Sequence, residues 1–273
     1  MAIVGGLLLL YVVIVGLLWT FQEQITFPSP RAPLPDPAQA VGNGERIELR
    51  MQDGTRLVGW YLPAEDGAGR RRTAQAGSPG VLWFYGNGEN IGTIWPVIRD
   101  FRPKNAALLV LDYPGYGASD GRANEAGMYE AADLAYAALR ERPDVDPRRI
   151  YVYGRSLGTA AATHVASTHD VAGLILESPF TSGRGMARQH YRIVPTFLVR
   201  LQLDNEARIA RIHCPILILH GTRDKLVPIT MGRAVAAAAG GPVEFMEIEG
   251  AGHNDTYDIG GRRYAEKLAA FVK

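Results

Sequence analysis

Apolar and polar positions fall along the chain in three regimes. From Ala2 to Phe21 there is no charged residue, and Leu, Val and Ile dominate. From Glu45 to Ala64 apolar and polar residues alternate about Asp53-Gly54, the pattern of a β-hairpin. From Val81 onward, short apolar runs (VLWFY, AALLVLDY, RIYVYG, AGLILES, PILILHG, VEFMEIEG) take turns with helical stretches such as NEAGMYEAADLAYAALRER. Continuous apolar strands suit a sheet buried on both faces, as parallel sheets are. The alternation therefore predicts a doubly wound, mostly parallel α/β sheet, with the two opening antiparallel strands at one edge. Asn124 stands where an N-cap belongs.

The first regime matches a membrane span in length, since about twenty residues at ~1.5 Å each reach across a hydrocarbon core of ~30 Å. Trp19 and Phe21 stand where interfacial aromatics anchor a helix end. A cleaved signal peptide would need basic residues before the apolar run and a small-residue site just after it. Neither is present; Ala38-Gln39-Ala40 fits the small-x-small rule but lies too far downstream. A core helix apolar all round would rarely be this long. Residues 1–21 are read as an uncleaved single-pass anchor that places the protein at a membrane through residues 2–21. With few flanking charges, the positive-inside rule does not assign a side. Residues 22–44, rich in Pro and Gly, read as a tether, and 45–273 as the globular domain. Arg70-Arg71-Arg72 reads as part of a solvated loop.

One interval is longer than a crossover needs. Between Pro179 and Cys214 the chain holds apolar residues Ile193, Val194, Phe197, Leu198 and Leu201. It predicts a short helical cap over about 180–213, with an ordinary packing helix as the alternative.

Composition narrows the function. Lys plus Arg number 29 against 28 Asp plus Glu, a net charge of +1 that gives no case for nucleic acid. A hydrophobic share of 47% fits a globular domain with a substantial core. The lone Cys214 has no disulfide partner within the chain and reads as a buried structural thiol. No histidine pair has zinc-ligand spacing, so no metal is expected, and no cofactor.

The chemistry starts at GRSLG, Gly154 to Gly158, where a strand pattern turns at once into an alanine-rich helical one. Glycine two positions either side of a serine marks a turn too tight for flanking Cβ atoms. Reactive groups in open α/β sheets collect at the carboxyl ends of strands. Past the later strands stand Asp224 and His253, so the order is Ser156, Asp224, His253. A serine hydroxyl needs an imidazole to accept its proton, and the imidazole needs a carboxylate to hold its tautomer. His164 lies on the following helix, and His220 at a strand end reads as structural. Glu177 is a rival acid; Asp112 reads as pinning its own glycine-rich loop, and Asp255 reaches His253 awkwardly. Leu157 and Asn87 are positioned to offer backbone N–H groups to an oxyanion. Gly86, Gly88, Phe180, Phe197 and Leu198 are expected around the substrate.

From about Ile25 onward the chain resembles the α/β-hydrolase superfamily. It is most similar there to membrane-anchored serine hydrolases with one N-terminal span, through GRSLG, DKLVP and GAGHND. The resemblance implies a single hydrolase domain, a triad of Ser156, Asp224 and His253, and hydrolysis of carboxylic esters or thioesters. Members often carry His-Gly-Asn at the oxyanion strand, where this chain has Tyr85-Gly86-Asn87. The expected substrate is a lipophilic acyl ester, lipid esters included. The same triad also serves an amidase or peptidase, and a non-catalytic binding protein on this fold is a third reading.

Overall fold

The apolar runs become strands and the segments between them helices. The computed structural model describes residues 2–31, 44–66, 69, 71 and 77–273. Its strands are β1 (Glu45–Arg50), β2 (Arg56–Leu62), β3 (Ser78–Phe84), β4 (Ala107–Leu111), β5 (Val145–Arg155), β6 (Gly173–Glu177), β7 (Ile216–Gly221) and β8 (Val243–Ile248). They form one sheet in the order β1-β2-β4-β3-β5-β6-β7-β8. β2 pairs antiparallel with both β1 and β4, and every other neighbouring pair is parallel. The sheet is thus mixed but mostly parallel, with the hairpin at its edge. Gly54 makes that turn at φ +86, and Thr55 N donates to Asp53 Oδ1 at 2.8 Å.

Burial follows strand position. Every residue of β3, β4, β6 and β7 is buried, whereas edge strand β1 alternates between half-buried and exposed. Two-sided burial of the centre requires helices on both faces. These are α2 (Ile91–Phe101), α3 (Glu125–Arg140), α4 (Gly158–Thr168), α6 (Asn205–Ile209), α7 (Ile229–Ala237) and α8 (Thr256–Phe271). α2 packs on α8, while α3, α4, α6 and α7 touch in sequence. Asn124 caps α3 by accepting from Gly127 N at 2.8 Å. Within the core, Trp83 of β3 stacks on Tyr153 of β5 with ring centroids 3.7 Å apart.

Helix α1 (Ala2–Thr26) is apolar and long enough to cross a bilayer, and most of its side chains are exposed. It outruns the apolar segment by five residues, through Gln22-Glu23-Gln24. Gln and Glu favour helix, and no breaker occurs before Pro28. Most of the tether, residues 32–43, lies outside the described residues. Of Arg70 to Arg72 only Arg71 is described, pairing with Glu45 at 3.1 Å and Asp144 at 3.5 Å. Between β6 and β7 stand α5 (Gly183–His190), a three-residue 3-10 turn (Thr196–Leu198) and α6. Cys214 is half-buried, and burial pushes its thiol up to about 11.

Candidate active site

β5 ends at Arg155 and α4 begins at Gly158, so the chain reverses within two residues. Ser156 takes φ +51, a left-handed conformation that a non-glycine residue holds at a cost of about 1–3 kcal/mol. A Cβ at Gly158 would stand 2.2 Å from the Phe84 carbonyl oxygen. One at Gly154 would stand 2.4 Å from the carbonyl oxygen of Gly158. Both glycines are therefore steric requirements of the turn. Ser156 N donates to the Glu177 carbonyl at 2.9 Å, which ties the turn to β6.

Two loops on neighbouring strands meet this serine. His253 follows β8 and Asp224 follows β7. Ser156 Oγ lies 2.9 Å from His253 Nε2, and His253 Nδ1 lies 2.7 Å from Asp224 Oδ2. Asp224 is itself held, because Oδ1 accepts from Leu226 N at 3.0 Å and Val227 N at 2.8 Å. Burial pushes its carboxyl up, but hydrogen bonds from His220 and His253, the charge of His253 and the Val227 N–H outweigh burial. The group sits well below the usual carboxylate range. An ionised Asp224 accepts only, so His253 Nδ1 carries the proton and Nε2 offers its lone pair to Ser156.

The other candidates occupy different posts. Buried His220 Nε2 faces the Val227 carbonyl at 2.8 Å, and His164 Nε2 meets Asp133 at 3.0 Å. Asp112 Oδ1 accepts from Ile91 N and Tyr85 Oη, both at 2.9 Å, and its Oδ2 from Ala118 N at 3.0 Å, so it pins its own loop. Asp255 accepts from Gly252 N at 2.6 Å.

A cleft of about 400 Å³ opens over Ser156, within the usual size range for small-molecule sites. Asn87, Leu157, Phe180 and Leu198 line it. Among the described residues, no main-chain acceptor meets the N–H of Asn87 or of Leu157. Gly86 donates its own N–H to Glu89 Oε2 at 2.6 Å and neither it nor Gly88 lines the cleft. Phe197 also departs from expectation. It is 78% exposed, because the 3-10 turn directs it away while Val194, Leu198 and Leu201 face inward.

Sequence reasoning missed two sets of residues. The first is a buried polar network behind the serine. Arg155 is only 3% exposed and reaches Glu89 Oε1 at 2.6 Å, Glu177 Oε1 at 3.3 Å, the His253 carbonyl at 2.8 Å and Asn254 Oδ1 at 2.9 Å. Glu177, the rival acid, also accepts from Tyr153, Thr256 and Tyr264 hydroxyls. It is committed to this network, and among the described residues no hydrogen bond or ion pair joins it to the His253 ring, whose partners are Asp224 and Ser156. The second set lies on α1, whose Leu18, Trp19, Gln22, Ile25 and Thr26 form one side of the cleft. Their spacing puts them on one face of the helix, a face that the uniform apolarity of the segment does not mark in the sequence.

Comparison with known proteins agrees with this architecture. Residues 79–204 match the serine aminopeptidase, S33, family. An uncharacterized protein of Mycobacterium tuberculosis is 32% identical over 262 residues, 95% of this chain and 90% of that protein. Human alpha/beta hydrolase domain-containing protein 17B is 34% identical over 193 residues, 70% of this chain and 65% of its own length. Among solved structures, a Pyrococcus furiosus esterase shares the fold at TM-score 0.71 and 17% identity, over 89% of this chain and 95% of that one. A puromycin-hydrolyzing peptidase of M. tuberculosis does so at 0.68 and 18%, over 88% of this chain and 41% of its own. The sheet and these likenesses together show that the chain has the α/β-hydrolase fold and belongs to one family with the M. tuberculosis protein.

Proposed function

We propose that this chain is a serine hydrolase that opens an acyl bond through an acyl-enzyme. The observation that carries the reading is one imidazole within hydrogen-bond reach of both a strained serine hydroxyl and an ionised carboxylate. In the forward half, Ser156 Oγ bonds to the acyl carbon while its proton passes to His253 Nε2. Asp224 stabilises the imidazolium. The N–H groups of Asn87 and Leu157 receive the developing oxyanion, an arrangement worth roughly 3–4 kcal/mol per donor. The bond to the leaving group then breaks, and that group leaves with the proton from His253. Water repeats the sequence on the acyl-enzyme, yielding a free acid and restoring Ser156.

The comparisons support an amine as leaving group better than an alcohol. The matching family is described as a serine aminopeptidase family, and one structural neighbour is a peptidase. An amide or peptide bond is accordingly the first reading. A second reading, an ester, is favoured by the cleft itself. No Asp or Glu stands among its lining residues to grip a free amino terminus, and apolar side chains dominate. Under either reading the acyl part is apolar.

Matched p-nitroanilide and p-nitrophenyl ester substrates separate the two. Turnover of the anilide, abolished by Ser156→Ala, supports the amide; turnover of the ester alone supports the second reading. If neither substrate turns over and a fluorophosphonate fails to label Ser156, the proposal is wrong.

A further inference from the structure

Tyr11, Val15, Leu18, Gln22 and Ile25 of α1 stand at spacings of four and three, one stripe that faces the rest of the protein, with Trp19 and Thr26 beside it. The stripe is fastened to the cap at both ends. Tyr11 Oη donates to the Ile193 carbonyl at 3.0 Å, and Arg200 N donates to Gln22 Oε1 at 2.8 Å. The Arg200 guanidinium stands 4.8 Å from the Trp19 ring centroid and donates to the Trp19 carbonyl at 3.3 Å. Below the stripe, Phe27 is buried in the core and the Pro30 carbonyl accepts from Gly117 N at 3.0 Å. A helix that served only as a leash would need none of these bonds.

The cap carries a second, independent signature. Arg184, Arg188, Arg192 and Arg200 are exposed, and no acid occurs from Ser178 to Leu203. Among the described residues none of Arg184, Arg188 and Arg192 forms an ion pair. Interleaved with them, Ile193 and Phe197 are 56% and 78% exposed. Apolar tips among unpaired arginines are the composition of a surface that meets an anionic lipid leaflet. The cap reaches α1 as far along as Tyr11, about 15 Å of helix axis before Phe21. A helix set across a bilayer therefore carries those apolar tips into one leaflet.

We infer that α1 is a working wall of the acyl cleft, and that the substrate's long acyl chain enters from an anionic leaflet through the seam between α1 and the cap. The inference rests on the serine-hydrolase reading above and adds the source and route of the acyl group. Leu18 and Trp19 line the same cleft as Ser156 from the α1 side, which makes them its chain-length determinants.

The test uses full-length protein in vesicles of phosphatidylcholine, alone or mixed with phosphatidylglycerol. Two p-nitrophenyl esters report on the acyl-enzyme step: the water-soluble butyrate and the vesicle-borne palmitate. Palmitate turnover is expected to rise with phosphatidylglycerol, on the order of tenfold, while butyrate turnover stays level. The combined Arg184→Gln, Arg188→Gln, Arg192→Gln variant is expected to lose the rise, and its butyrate turnover reports that it is folded. Leu18→Trp is expected to lower the palmitate-to-butyrate ratio, also on the order of tenfold, by filling the α1 side of the cleft. Palmitate turnover indifferent to lipid charge and to the arginines overturns the inference, as does an unmoved ratio in Leu18→Trp. Failure of wild type on both esters, with no fluorophosphonate labelling, instead strikes the hydrolase reading beneath it.

Discussion

Arg155→Met is the most informative single change. The side chain is buried, and its partners are the carboxylates Glu177 and Glu89, the His253 carbonyl and Asn254 Oδ1. Methionine keeps much of the length and removes the charge, leaving Glu177 fully buried without its cation. Removing one partner of a buried pair costs about 3–5 kcal/mol, because the remaining charge is uncompensated. A loss in that range is expected in urea denaturation with an unchanged m-value. Kinetics should change too. Arg155 ties Glu89, and through it Gly86, to the carbonyl of His253. Loosening both loops around Ser156 is expected to lower kcat by about 100-fold with KM little moved, as misplacement of about 1 Å does. Arg155→Lys should recover part of kcat, whereas adding Glu177→Gln to Arg155→Met should recover stability without recovering kcat. A loss below about 1 kcal/mol together with unchanged kcat would refute the view of Arg155 as a positioning residue.

Further expectations follow from the site and the turn. Asp224→Asn should lower kcat by about 10⁴-fold against a retained fold, read by circular dichroism alongside kinetics. Because the folded carboxyl lies below its unfolded value, its stability contribution is present above that value and lost as pH falls through the folded one. The stability gap between wild type and Asp224→Asn should therefore be full at neutral pH and shrink as pH drops below about 4, measured by urea titration across pH. Gly158→Ala should fail to fold or lose several kcal/mol, since its Cβ would stand 2.2 Å from the Phe84 carbonyl oxygen. Normal yield and melting temperature would contradict the steric account of the elbow.

Much of the architecture was legible because it is local. The β1–β2 turn, the cap at Asn124 and the continuous apolar strands each rest on neighbours a few positions apart. The order Ser156, Asp224, His253 was legible because strand ends can be counted along the chain. The Arg155 network was not. Its partners lie 22, 66, 98 and 99 positions away, and nothing in the run RIYVYGRS marks the arginine as buried. Phe197 misled for a related reason. Apolarity says that a side chain gains by leaving water, but not whether it enters the cleft or projects outward. The contribution of α1 was hidden because an all-apolar helix has no stripe visible in hydropathy, and only the folded cleft singles out Leu18 and Ile25.

Cys214 has a practical consequence. Alkylating reagents attack the thiolate, and a sulfhydryl titrating near 11 is almost wholly protonated at neutral pH. Beside an exposed engineered cysteine, Cys214 therefore reacts slowly with maleimides. One engineered cysteine on α5 and another on α1 would accept a spin-label pair without prior removal of the native one, and their separation would report how far the seam breathes.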